Sequence, residues 1–63
     1  MEEEPFITTR DAAKAIGFTV GTLKVWRSRR KGPPFYRIGS SVRYKESEVH
    51  HWFQRHGEHY ANK

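Results

Sequence analysis

The sequence predicts one small domain, mainly α-helical, with a single β-hairpin. Three observations predict it. Two stretches with helical spacing of apolar residues are separated by only Gly17-Phe18-Thr19. The stretch from Phe35 to Tyr44 alternates apolar and polar residues around a Gly-Ser-Ser tip. A third helical stretch follows from Lys45. At 63 residues the chain is of single-domain size. Such a chain buries only about 60% of its unfolded surface, so modest stability is expected.

Residues 1–5, Met-Glu-Glu-Glu-Pro, read as an acidic flexible arm. Residues 6–57 form the folded domain, and 58–63 a polar tail. The first helix is expected over residues 7–18. Thr8 is its cap, and Asp11, three residues on, is placed for an imperfect capping box. Ile7 and Ala12 hold the two positions of a hydrophobic staple. Ala12, Ala13 and Ile16 make its apolar side, small enough for another helix to approach closely. Gly17 supplies the left-handed stop.

The second helix, residues 19–31, follows after a sharp corner, which is a helix-turn-helix arrangement. Thr19 is its cap, and Leu23, Trp26 and Arg30 share its inner face at spacings of three and four. Thr22, Lys24, Val25, Arg27 and Ser28 fall on the other faces. Gly21 in the first turn has two readings: it is simply tolerated there, or it lets a phosphate approach the backbone. Arg29, Arg30 and Lys31 suit the negative end of the helix dipole. Gly32 is the expected stop, and Pro33-Pro34 lead into extended backbone.

In the hairpin, Tyr36, Ile38, Val42 and Tyr44 are expected on one face, with Phe35, Arg37 and Arg43 on the other. A lone ribbon is marginal in water, so its inner face must pack on the helices. The third helix is expected over residues 45–56, with Glu46 and Glu48 at the end that favours acids. Val49, Trp52 and Phe53 form its apolar stripe, and Gly57 ends it. Trp26 and Trp52 are expected to supply much of the core.

Charge points to a partner. The net charge is +5, and from Ala12 to Lys45 there is neither Asp nor Glu. Nine Lys and Arg residues lie in that span. Such segregation favours a single-signed face and a polyanionic partner. A helix buried on one side and basic on the other can lie in a groove of DNA. A ribbon carrying two arginines beside a small polar tip can reach phosphates or a minor groove.

Other chemistries find little support. The chain has no cysteine, which removes disulfides and thiolate metal sites and fits a reducing compartment. No apolar run approaches the roughly 20 residues that span a bilayer. No cofactor is expected. His50, His51, His56 and His59 are read as solvated surface residues rather than metal ligands, since adjacent helical residues point about 100° apart. No serine sits in a nucleophile-elbow pattern, and so small a domain has little volume for a pocket of several hundred Å3. The chain is not expected to be an enzyme.

Four segments taken in order resemble a known family. They are Ile-Thr-Thr-Arg-Asp-Ala-Ala-Lys-Ala-Ile-Gly-Phe-Thr, Thr-Leu-Lys-Val-Trp-Arg, Tyr-Arg-Ile-Gly-Ser-Ser-Val-Arg-Tyr and Ser-Glu-Val-His-His-Trp. The chain resembles the AlpA/excisionase-type, MerR-like winged helix-turn-helix DNA-binding family from Ile7 to about Phe53. The resemblance implies a two-helix helix-turn-helix, a β-hairpin wing and a C-terminal third helix. It implies that the second helix enters the major groove of double-stranded DNA and that the wing meets the backbone or minor groove. Carried over by position, it implicates Thr19, Thr22, Lys24, Val25, Arg27 and Ser28 on the helix, and Arg37, Ser40, Ser41 and Arg43 on the wing. Arg29, Arg30 and Lys31 are expected to add nonspecific attraction. Trp26 matches a core position. Gly21 departs from the family, whose members often carry a polar or charged residue there.

Family members typically belong to phages and other mobile elements, where they act as transcriptional regulators or excisionases. That implies a prokaryotic cytoplasmic protein, nucleoid-associated when bound. It also implies cooperative self-association on DNA and contact with an integrase or RNA polymerase. The alternative expectation is a protein-interaction module that uses the winged fold to bind an integrase, a polymerase subunit or a host factor. Exposed Val25 and Phe35 would anchor it.

Overall fold

The computed structural model describes residues 4–61, with side chains described as far as His56. Met1 to Glu3 of the expected arm and Asn62 and Lys63 of the expected tail lie outside the described residues. The element order is β1 (Phe6–Ile7), α1 (Thr9–Ile16), α2 (Val20–Ser28), β2 (Tyr36–Ile38), β3 (Ser41–Lys45) and α3 (Glu46–Ala61). Three helices and a small antiparallel sheet make this a winged helix-turn-helix fold, as the sequence predicts.

Local chemistry fixes both helices of the helix-turn-helix. Thr8 is extended, and its hydroxyl accepts the Asp11 backbone N–H at 3.1 Å. Thr19 is extended too, and its hydroxyl accepts the Thr22 N–H at 3.1 Å. Each cap satisfies a first-turn donor with no partner inside its helix. Gly17 ends α1 in the left-handed region at φ 78°, and the Phe18 N–H returns to the Ala13 carbonyl at 2.9 Å.

The apolar faces then meet. Ala12, Ala13, Ile16, Leu23, Trp26, Tyr44 and Val49 form the buried core, and the small alanines let α1 lie close to α3. Aromatic rings tie α3 to the helix-turn-helix. Trp26 stands 5.2 Å from Trp52 and 5.1 Å from Phe18, which lies 6.2 Å from Phe53. Such tilted pairs add about 0.5–1.5 kcal/mol each beyond the area they bury.

The sheet corrects the sequence expectations in two ways. It has a third strand. β1 pairs antiparallel with β3, giving the order β1-β3-β2 with Ile7 opposite Tyr44. Ile7 therefore belongs to a strand, not to the first helix. The hairpin is also joined by a two-residue turn, Gly39-Ser40, so Ile38 pairs with Ser41 and Tyr36 with Arg43. Gly39 sits at φ 64° and Ser40 is not left-handed, the glycine-first pattern of a II′ turn. A one-residue change of register exchanges faces. Tyr36, Ile38, Ser41 and Arg43 share the outer face, while Arg37, Val42 and Tyr44 share the inner one. Arg37 and Arg43 are on opposite faces, not on the same one.

Both ends of α3 also differ from expectation. Lys45 is the last residue of β3, and the helix starts at Glu46. Its first turn is capped from far away. The Glu4 carboxylate accepts the Ser47 backbone N–H at 2.7 Å and the Ser47 hydroxyl at 2.6 Å. These bonds join Glu4 of the expected arm to the start of α3 and hold its carboxyl below its ordinary value. At the other end the helix continues through Gly57 to Ala61. A glycine inside a helix costs about 1 kcal/mol relative to alanine but does not break it when no proline follows.

Candidate nucleic-acid interface

α2 presents one face to the core and another to solvent. Leu23 and Trp26 are buried, while Lys24, Val25 and Ser28 are exposed. Val25 is 47% exposed, the only large apolar side chain on that outer face. The Ser28 hydroxyl donates to the Val25 carbonyl at 3.1 Å, and Thr22 and Thr19 bond through their hydroxyls at 3.0 Å. The outer face thus presents a cation, an apolar contact and hydroxyls. Gly21 is exposed, and a Cβ there would meet nothing nearer than the Thr19 hydroxyl at 3.8 Å. Packing therefore does not require a glycine at this position.

Arg27 has a different setting from its neighbours. Its Nη1 donates to the Tyr44 hydroxyl at 2.9 Å and to the Thr9 hydroxyl at 3.4 Å. Its guanidinium lies 5.8 Å from the centre of the Phe35 ring, and Arg37 lies 5.9 Å from the same ring. Arg27 thus joins α1, α2, the segment leading to β2, and β3 at one point. The tyrosine that makes this possible is 1% exposed, and nothing in the local sequence distinguishes it from Tyr36. Tyr36 instead donates to Glu48 on α3 at 2.9 Å, which raises its phenol above the ordinary value. Lys45 lies 5.3 Å from the Phe6 ring and 5.5 Å from that of Tyr36.

The end of α2 corrects the expected helix of residues 19–31. The helix stops at Ser28. Arg30 is left-handed at φ 59°, its N–H bonding the Arg27 carbonyl at 3.1 Å, while the Lys31 N–H reaches the Trp26 carbonyl at 2.7 Å. This pair of bonds is a Schellman termination. It turns Arg30 and Lys31 out of the helix, so Arg30 does not share the inner face with Leu23 and Trp26. Gly32 follows at φ 87°, where a Cβ would lie 2.9 Å from Trp26 Cε3. Gly32 is required by close packing on Trp26, not by helix termination.

The wing completes the surface. Ser40 is exposed at the tip and Ser41 is half-buried in β3. Arg43 is half-buried, its Nη1 donating to the Val42 carbonyl at 2.9 Å. Arg37 is exposed and faces the end of α2. The structure therefore gathers Arg27, Arg30, Lys31 and Arg37 around one groove and leaves Thr19, Thr22 and Val25 around another. Arg43, Ser40 and Ser41 belong to neither. Phe35 is half-buried beneath two arginines, so it offers less of the apolar anchor that a protein-binding module would need. Among the described residues, no group of three His, Asp or Glu is placed to hold a metal, and no helix is long and apolar enough to cross a membrane.

No curated protein matches the chain. Residues 6–57 match the family described as helix-turn-helix domain, which includes AlpA/excisionase-like proteins. The match runs from β1 through both helices of the helix-turn-helix and the wing into α3, and the family is typically non-enzymatic. The chain belongs to this helix-turn-helix domain family, and with it to the small DNA-binding proteins.

Proposed function

We propose that the chain binds double-stranded DNA sequence-specifically, with α2 in the major groove and the wing along the backbone. The observation that carries this reading is the outer face of α2. Lys24, Val25 and Ser28 stand exposed on a helix that belongs to the basic span free of Asp and Glu. Lys24 suits a guanine edge or a phosphate, and Val25 suits a thymine methyl group. Thr19 and Thr22 at the helix start suit phosphate or base contacts. Arg27 orients α2 against the wing instead of reading bases, because Tyr44 and Thr9 already hold it. Arg43, Ser40 and Ser41 meet the backbone from the wing.

The biological role that fits is that of a phage or mobile-element protein, acting as a transcriptional regulator or as an excisionase. So small a contact supports limited affinity, so copies bind side by side or with a partner such as an integrase or RNA polymerase.

Selection from a pool of random duplexes, followed by mobility shift at about 150 mM salt, tests the reading. The expected result is an enriched motif and discrete bands that resist competitor DNA. Lys24→Gln should weaken binding and lower the salt slope by about one unit. No enriched motif, with binding that vanishes as salt rises, would contradict it.

A further inference from the structure

The groove between the end of α2 and β2 is a second, distinct feature of the cationic surface. Its volume is about 520 Å3. Arg27, Arg30 and Lys31 from the end of α2, Pro33, Pro34 and Phe35 from the connection, and Arg37 from β2 all line it. No carboxylate lines it among the described residues. The three outermost cations, Arg30, Lys31 and Arg37, are exposed, and none has a carboxylate partner among the described residues.

The backbone gives an independent observation. Arg30 occupies the left-handed position of a Schellman termination. Glycine fits that position without a Cβ penalty, and a non-glycine residue there is strained. Strain held at one residue points to a use for its side chain. The turn leaves Arg30 and Lys31 outside the helix, lining the same groove as Arg37 of the wing. Gly32 and Trp26 lock the turn in place by close packing.

We propose that this groove seats one backbone phosphate of the bound duplex, held by Arg30 and Lys31 from the end of α2 together with Arg37 from the wing. This inference rests on the DNA-binding reading above and assigns one contact within it. A phosphodiester fits because its two free oxygens can accept from cations supplied by two different elements. Held there, it couples the register of α2 to the position of the wing through the Phe35 ring that Arg27 and Arg37 share. The contact positions the protein and carries no sequence information itself.

The test uses the full chain and the duplex obtained by selection. Each phosphate in turn is replaced by a neutral methylphosphonate, and binding is measured for the wild type and for the Lys31→Gln, Arg37→Gln double variant. For the wild type, one position is expected to weaken binding by roughly tenfold, beyond the smaller effects at flanking positions. For the double variant, neutralising that same phosphate should weaken binding markedly less than in the wild type, because two of its three cationic partners are gone. The altered residues are exposed, and circular dichroism and the melting temperature verify that the variant folds. Equal losses in wild type and variant at every position would overturn the inference while leaving the DNA-binding reading intact. Failure to select any duplex would overturn both.

Discussion

α1 and α2 end in the same way with different residues. In each, the chain turns back through a left-handed residue, and the N–H after it bonds a carbonyl five residues earlier. At α1 that residue is Gly17, at φ 78°, with nothing within 4 Å of where a Cβ would lie. At α2 it is Arg30, at φ 59°. Gly17 is the residue that conformation alone would select. Arg30 is strained there by about 1 kcal/mol relative to glycine. The two ends therefore separate what the fold requires from what the surface uses. α1 ends at a corner that only has to lead into Thr19. α2 ends beside the wing, at the groove lined by Lys31 and Arg37.

Substitutions at the two helix ends separate conformational strain from packing. The largest effect is expected at Gly32, just beyond the second turn. Gly32→Ala places a Cβ 2.9 Å from the Trp26 ring in a left-handed conformation. It should destabilise the domain by about 3 kcal/mol, read as a lower denaturant midpoint at constant slope. A change under about 1 kcal/mol would mean that the turn is not locked against Trp26. At the other helix end, Gly17→Ala meets open space and should lose about 1–1.5 kcal/mol from conformation alone. Equal losses at Gly17 and Gly32 would remove the packing distinction between them.

Tyr44→Phe removes the hydroxyl that holds Arg27 beneath the wing. It should cost about 1 kcal/mol in the same assay and loosen the wing relative to α2. A Tyr44→Phe protein with unchanged stability and unchanged DNA affinity would remove Arg27 from the role assigned to it. The smallest effect concerns the start of α3. The Ser47 hydroxyl and N–H hold the Glu4 carboxyl below its ordinary value of 4.5. A lowered folded value means that its stabilisation is complete above that ordinary value and is lost as pH falls through the folded one. Wild type should therefore melt higher than Glu4→Gln at pH 6, with the difference closing below about pH 4.5. A difference that does not change with pH would argue against the carboxylate as the cap.

Much of the fold is legible in local sequence because local chemistry determines it. Thr8, Thr19 and Gly17 act within their own turns, and the apolar spacing of α1 and α2 survives into the core. The features that the sequence hides depend on distant partners. β1 is two residues long, too short to alternate, and is defined by pairing with β3. Glu4 caps a helix 43 residues away. Tyr36 and Tyr44 look alike until the turn length fixes the register, and a two-residue rather than three-residue tip places them on opposite faces. The candidate surface is legible as charge, and the outer face of α2 follows from helical spacing. Its grouping is not legible, because it depends on Arg30 leaving the helix and on Tyr44 taking Arg27.

The most direct measurement is the Arg30→Gly variant, assayed for both stability and binding to the selected duplex. The substitution relieves the left-handed strain and removes one of the cations that line the groove. The expected result is opposite signs: a domain more stable by about 1 kcal/mol and a duplex bound several-fold more weakly. A variant that gains stability and binds as tightly as the wild type would show that Arg30 serves neither the fold nor the DNA. That outcome would contradict the division between the two helix ends.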